Sequence, residues 1–137
     1  MDNLPIKAKI EENGQSPYAV TIDVSGHRIL GDEPVSFGGG NTGLSPYDLL
    51  TAALGECTAM TIRWYARQKS FPLEKVAVEI IYDKEGKTDV FTKVIQLIGP
   101  DLTPDQHTKL IEIAAKCPVQ RTIEGPPLIR TEALPQG

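Results

Sequence analysis

The side chains best suited to covalent chemistry in this 137-residue chain are its two cysteines. Cys57 lies in the apolar run LLTAALGECTAMTIRW beside an acid, Glu56; Cys117 follows sixty positions later in AAKCPVQRT. Free cysteine packs as a small hydrophobe, and that accounts for each thiol taken alone. Taken together they allow a second chemistry. A thiolate attacks a peroxide oxygen and becomes a sulfenic acid, and the other thiol then converts it to a disulfide. Such a pair needs a stabilised thiolate, a partner within reach and an apolar pocket. Cys57 stands some three turns into its expected helix, too far from that helix's N-terminus to be acidified by it. A cation must therefore come from elsewhere in the fold. At the level of residue pattern, packing and redox chemistry both stay open.

Other constellations are weaker. Cys57, Cys117, His27 and His107 show no C-x-x-C or H-x-x-x-H spacing, so no zinc site is expected. Gly38 and Gly43 in FGGGNTG stand at a phosphate-loop interval, but Leu44 occupies the place of the essential lysine. A flexible connector is the expected reading. There is no G-x-S-x-G elbow for a serine nucleophile. His27 and Arg28 follow a turn, His107 falls early in a helix, and Trp64 and Tyr65 read as core or interface aromatics.

The elements that must position the thiols are marked by turn and cap residues. IKAKI, YAVTIDV and HRIL alternate as three short strands, with Asn13-Gly14 and Ser25-Gly26 as the turns between them. Ser45, Pro46 and Asp48 open a long helix that Pro72 is expected to stop. Its apolar residues cover most of its circumference, which predicts burial on several sides and a homodimer to provide it. KVAVEIIYD and DVFTKVIQLIG flank KEGKT as a hairpin. Thr103, Pro104 and Gln106 open a second helix with Cys117 at its end. Pro118 breaks that helix or opens a short new turn, and PLIRTEAL is expected as a last strand. The order βββ-α-ββ-α-β is that of one α+β domain over residues 1–137.

Composition narrows the function classes. A net charge of −4 with no Lys/Arg cluster argues against nucleic acid as the partner. No apolar run reaches the roughly 18 residues of a membrane span, and MDNLPIKAKIEENG does not read as a signal peptide. A cytoplasmic protein is expected. In that setting a cysteine pair is transient and catalytic rather than structural.

Two blocks carry a resemblance to a known family: GLSPYDLLTAALGECTAMTIRWYARQKSFPLEKVAVEI and LTPDQHTKLIEIAAKCPVQRT. Over roughly residues 27–132 the chain resembles the OsmC/Ohr superfamily, the osmotically inducible and organic hydroperoxide resistance proteins. The resemblance implies an intertwined α+β homodimer with a buried central helix and active sites at the subunit interface. It implies a thiol-dependent peroxidase acting on organic hydroperoxides, with Cys57 as the attacking thiol and Cys117 as the resolving one. An external dithiol, lipoyl groups in the Ohr branch, would reduce the disulfide, without metal, haem or flavin. In the best-studied branch a glutamate after the helix-opening proline orients an arginine beside the thiol. Here Tyr47 fills that slot and the nearest acid is Asp48, which suits an OsmC-like branch. Arg28 is the first choice for the arginine and Arg121 the second; Gln120 stands where relatives often have histidine. The alternative is a non-enzymatic, stress-associated dimeric binding protein with an apolar pocket and packed cysteines. A thiol enzyme acting on another electrophile is a third.

Overall fold

The computed structural model describes residues 4–137. These fall into two compact units, one ending at Thr51 and one comprising Ala52–Gly137. No helix among the described residues is long and apolar enough to cross a membrane.

In the first unit three strands, β1 (Ala8–Glu12), β2 (Val20–Val24) and β3 (His27–Gly31), form one antiparallel sheet in that order. Val24 pairs with His27, which leaves Ser25 and Gly26 as a two-residue turn with φ of 50° and 79°. Both central residues of a primed hairpin turn need positive φ, and the short polar Ser25 tolerates it. The first connection departs from expectation. Glu12 and Val20 are the last pair of β1 and β2, so Asn13-Gly14 only begins a wider loop. Ser16 shapes that loop, its hydroxyl accepting the Tyr18 and Ala19 amides at 3.3 and 3.0 Å.

The glycine-rich stretch is a connector, but one held firmly. It opens with a single 3-10 turn, Val35–Phe37. Asp32, only 4% exposed, gathers it: its carboxylate accepts from the Ser16 hydroxyl, the Glu33, Gly40 and Thr42 amides and the Thr42 hydroxyl at 2.8–3.1 Å. Burial pushes Asp32 up, but these donors outweigh it and hold the carboxyl far below the ordinary range. Two glycines are demanded by close approach. A Cβ on Gly39 would fall 2.0 Å from the Glu33 carbonyl oxygen, and one on Gly43 2.2 Å from that of Leu30.

The long helix α1 (Pro46–Gln68) begins as expected. Ser45 Oγ accepts the Asp48 amide at 3.2 Å, and Asp48 Oδ2 accepts the Ser45 amide at 2.9 Å, a reciprocal capping box. Its end is set before Pro72 is reached. Ser70 adopts φ 53°, the Phe71 amide donates to the Ala66 carbonyl and the Ser70 amide to that of Arg67. These are the two bonds of a Schellman motif. Expected burial on several sides gives way to one stripe, Leu54, Thr58, Ile62 and Ala66 at four-residue spacing. Met60 and Trp64 remain 62% and 60% exposed in this chain.

In the second unit β4 (Lys75–Glu85) and β5 (Thr88–Ile98) pair as a long antiparallel hairpin, turning on Gly86 at φ 62°. Helix α2 (Pro104–Ala114) carries the expected capping box from Thr103 and Gln106. A third helix, α3 (Pro118–Glu124), follows Cys117. Ile62, Ala66, Leu73, Leu110 and Ala114 make the buried core, flanked by Tyr65, Phe71, Val76, Ile95, Leu97 and Leu102. Helix α1 lies close on β4 here: a Cβ on Gly55 would meet Ile80 at 3.0 Å.

The order is thus βββ-α-ββ-α-α, and the expected last strand is corrected. Residues 126–137 form no strand. Pro126, Pro127 and Pro135 withhold amides along PLIRTEAL and its flanks, and the segment finds no partner edge among the described residues. Leu128 and Ile129 are 76% and 81% exposed.

Leu110, fully buried at the centre of the second unit, should dominate its stability. Leu110→Ala is expected to cost about 2–5 kcal/mol in urea unfolding, whereas neighbouring Ile111→Ala, 38% exposed, should cost clearly less.

Candidate functional site

The site is built on the corner between α2 and α3. Pro118 cannot continue α2, and it biases the residue before it to extended backbone; Cys117 accordingly has φ −66° and ψ 134°. That conformation makes Cys117 the N-cap of α3, with Pro118 in the first helical position. The Cys117 Sγ accepts the Gln120 amide at 3.4 Å, as a serine hydroxyl would at the same place. Cys117 is fully buried.

Cys57 reaches the same turn from α1. Its Sγ accepts the Val119 amide at 3.5 Å and lies 3.9 Å from the Thr61 hydroxyl. Two successive amides of one helical turn therefore serve two sulfurs sixty residues apart in sequence. The two thiols are close enough to act on each other's ionisation, and no disulfide joins them. Thr58, one residue on from Cys57, gives its hydroxyl to the Leu54 carbonyl at 2.7 Å and also acts on Cys117. Cys57 is half-buried where Cys117 is sealed.

The electrostatics divide the pair. Burial pushes the Cys117 thiol up, but the Cys57 hydrogen bond, the Gln120 amide, the Thr58 hydroxyl and the charge of Lys93 together bring it below the ordinary value. Burial pushes Cys57 up, and the Val119 amide and Thr61 hydroxyl do not offset that burden once the charge on Cys117 is added. Because each sulfur's charge acts on the other, the first ionisation is eased and the second opposed.

A cation acts on the pair, chiefly at Cys117: Lys93, on the inward face of β5, which sequence reasoning did not single out. Its Nζ donates to the Ala114 carbonyl at 2.8 Å and to Gln120 Oε1 at 2.6 Å. Burial lowers it from the ordinary lysine value, opposed by the negative charges of Cys117, Cys57 and Glu124. A signal existed. Phe91, Lys93, Ile95 and Leu97 share strand parity, so a lysine interrupts an otherwise apolar face.

The remaining expected residues lie apart from this cluster in their bonding. Arg28 is engaged across the first sheet, its guanidinium donating to Asp23 at 2.8 and 3.2 Å. Asp48 serves the cap of α1. Arg121 lies on α3 with its amide bonded to the Cys117 carbonyl at 3.2 Å and its side chain exposed. Separately, the first unit bears an apolar cleft of about 680 Å³ lined in part by Ile10, Tyr18, Ile22, Phe37 and Leu44.

The sequence model of the OsmC-like protein family matches residues 38–132, which includes both cysteines. No curated protein is matched by the sequence. Solved structures agree in fold. An OsmC-like protein of Mycoplasma pneumoniae superposes with a TM-score of 0.73 at 18% identity, over 91% of this chain and 90% of its own. An organic hydroperoxide resistance protein OsmC of Legionella pneumophila gives 0.65 at 18% identity, covering 91% and 93%. An organic hydroperoxide resistance protein of Elizabethkingia anophelis gives 0.66 at 18%, covering 91% and 92%.

Ultraviolet titration of the reduced protein should show two thiolate steps straddling the single step of the urea-unfolded chain. The depressed first pKa favours the folded chain as pH rises towards the thiol range, and the raised second pKa opposes it above that range. A single native step at the unfolded midpoint would contradict the coupling of the two thiols.

Proposed function

The chain belongs to the OsmC-like protein family, and on that premise we propose that it is a thiol-dependent peroxidase that reduces organic hydroperoxides through Cys57 and Cys117. The observation that carries this reading is the meeting of two thiols at one amide-rich turn, one half-buried and one sealed. Isolated core cysteines have no need of each other. A reacting pair does.

In this reading the half-exposed Cys57 attacks. Passing its proton to Cys117 leaves the anion on the accessible atom. The Cys57 thiolate attacks the outer oxygen of R–O–O–H, the O–O bond breaks, and Cys57 becomes a sulfenic acid while RO⁻ departs and is protonated to the alcohol. Cys117 then attacks the Cys57 sulfur, water leaves, and a disulfide forms. An external dithiol, of which lipoyl groups are one kind, reduces that disulfide by exchange and closes the cycle. Thr61 and the Val119 amide can hold charge on Cys57 during the first step.

The working form in this reading is a cytoplasmic homodimer. The exposed Met60 and Trp64 on α1 support it, as do, within the first unit, the exposed Ile10 and Phe37: large apolar side chains left uncovered suit a partner. A second subunit would also wall in an apolar substrate beside Cys57. Arg28 and Asp48 belong to the part of the chain that such a partner could contribute, and Arg121 stays a candidate at the mouth of α3.

Turnover of cumene hydroperoxide with a dithiol donor should exceed that of hydrogen peroxide at equal dose. Cys57→Ser should reduce it to the uncatalysed rate, and Cys117→Ser should consume one equivalent of peroxide and then stall. Full activity in Cys57→Ser would end the reading.

A further inference from the structure

Lys93 does two things that no other described side chain does. The last carbonyls of a helix lack intrahelical partners, and Lys93 Nζ takes one of them, that of Ala114, the final residue of α2. The same ammonium takes the side chain of Gln120, the third residue of α3. It thereby bridges the end of one helix and the first turn of the next, across the corner that Cys117 and Pro118 make. Gln120 is held in the orientation this requires, because its Nε2 donates to Glu124 Oε2 at 3.3 Å and so turns Oε1 towards Lys93. The backbone of that same Gln120 donates to Cys117, and the residue before it, Val119, donates to Cys57.

We propose that Lys93 is the positioning residue of the thiol site: by clamping the Ala114 carbonyl to the Gln120 side chain, it fixes the two amides that serve the sulfurs and keeps a positive charge beside them. The inference rests on the reading of Cys57 and Cys117 as a reacting pair and adds the group that prepares them. Lys93 stays protonated throughout, acting through charge and position rather than by transferring a proton. The ionisable groups acting on it are Cys117, Cys57 and Glu124. Glu124 is exposed and balances the ammonium when both thiols are neutral. Methionine at position 93 would keep the packing of the stem on the Phe91–Leu97 face while removing both bonds and the charge; arginine would keep the charge and donors.

The test is a thiolate titration of the reduced protein, followed at 240 nm and by the rate of alkylation, with no peroxide present. It therefore reports on Lys93 whether or not the protein turns over hydroperoxides. Lys93→Met should raise the midpoint of the first thiolate step by about one pH unit, with alkylation near neutral pH slowed about tenfold to match. Lys93→Arg should titrate close to the wild type. A Lys93→Met protein that is folded by circular dichroism and titrates at the wild-type midpoint overturns the proposal. Should that variant fail to fold, Gln120→Ala decides. Loss of the clamp with the lysine retained should raise the same midpoint by a smaller amount, and an unchanged midpoint overturns the proposal equally.

Discussion

Two thiols set against an apolar core are the constraint around which the second unit is arranged. Burial alone pushes a thiol towards its neutral form, so a reactive sulfur there must be met by donors that lie within the core. Helix α1 cannot offer its own amides to Cys57, which stands three turns into it. Pro118 resolves the difficulty. With α2 ended at Ala114 and α3 opened at Pro118, a fresh set of amides is presented at the corner, and both sulfurs lie against them. The corner is expensive in unpaired backbone groups, and Lys93 takes up one of them while adding charge. Strand β5, helix α2 and helix α3 thus meet at the thiols for electrostatic as much as for packing reasons.

The first unit shows the same principle without reactivity. Asp32 is buried, carries a full complement of donors, and holds the glycine-rich loop against the backbone of residues 30–33. Gly39 and Gly43 are there because a side chain would strike a carbonyl. A loop that reads as flexible from its composition is in fact folded around one carboxylate. Its resemblance to a phosphate loop is one of spacing alone, since the Gly40 and Thr42 amides are committed to Asp32 and those of Gly38, Gly39 and Asn41 to backbone carbonyls.

Much of this was legible from local chemistry. The Ser45/Asp48 and Thr103/Gln106 caps stand where their residue types place them, because capping depends on side chains three residues apart. The Ser25-Gly26 turn and the β4–β5 hairpin follow from positive-φ residues between alternating runs. The need for a cation near Cys57 was also legible, but its source was not. Arginines drew attention through the family resemblance, while Lys93 looked like one more polar residue in a strand; only its parity with Phe91, Ile95 and Leu97 marks it. The meeting of Cys57 and Cys117 has no local signature and was reachable only through family resemblance. The PLIRTEAL strand failed because a strand is defined by its partner, which alternation along one segment cannot supply. Likewise the apolar circumference of α1 says what would be buried, and the chain alone buries only the Leu54–Ala66 stripe.

The most direct test of the central claim is the intact mass of the reduced protein after one equivalent of cumene hydroperoxide, with peptide mapping under non-reducing conditions. The account predicts loss of two hydrogens within one chain and a single Cys57–Cys117 linkage. Two free thiols after a large excess of peroxide would contradict it, and would leave the pair as packed sulfur in a binding protein.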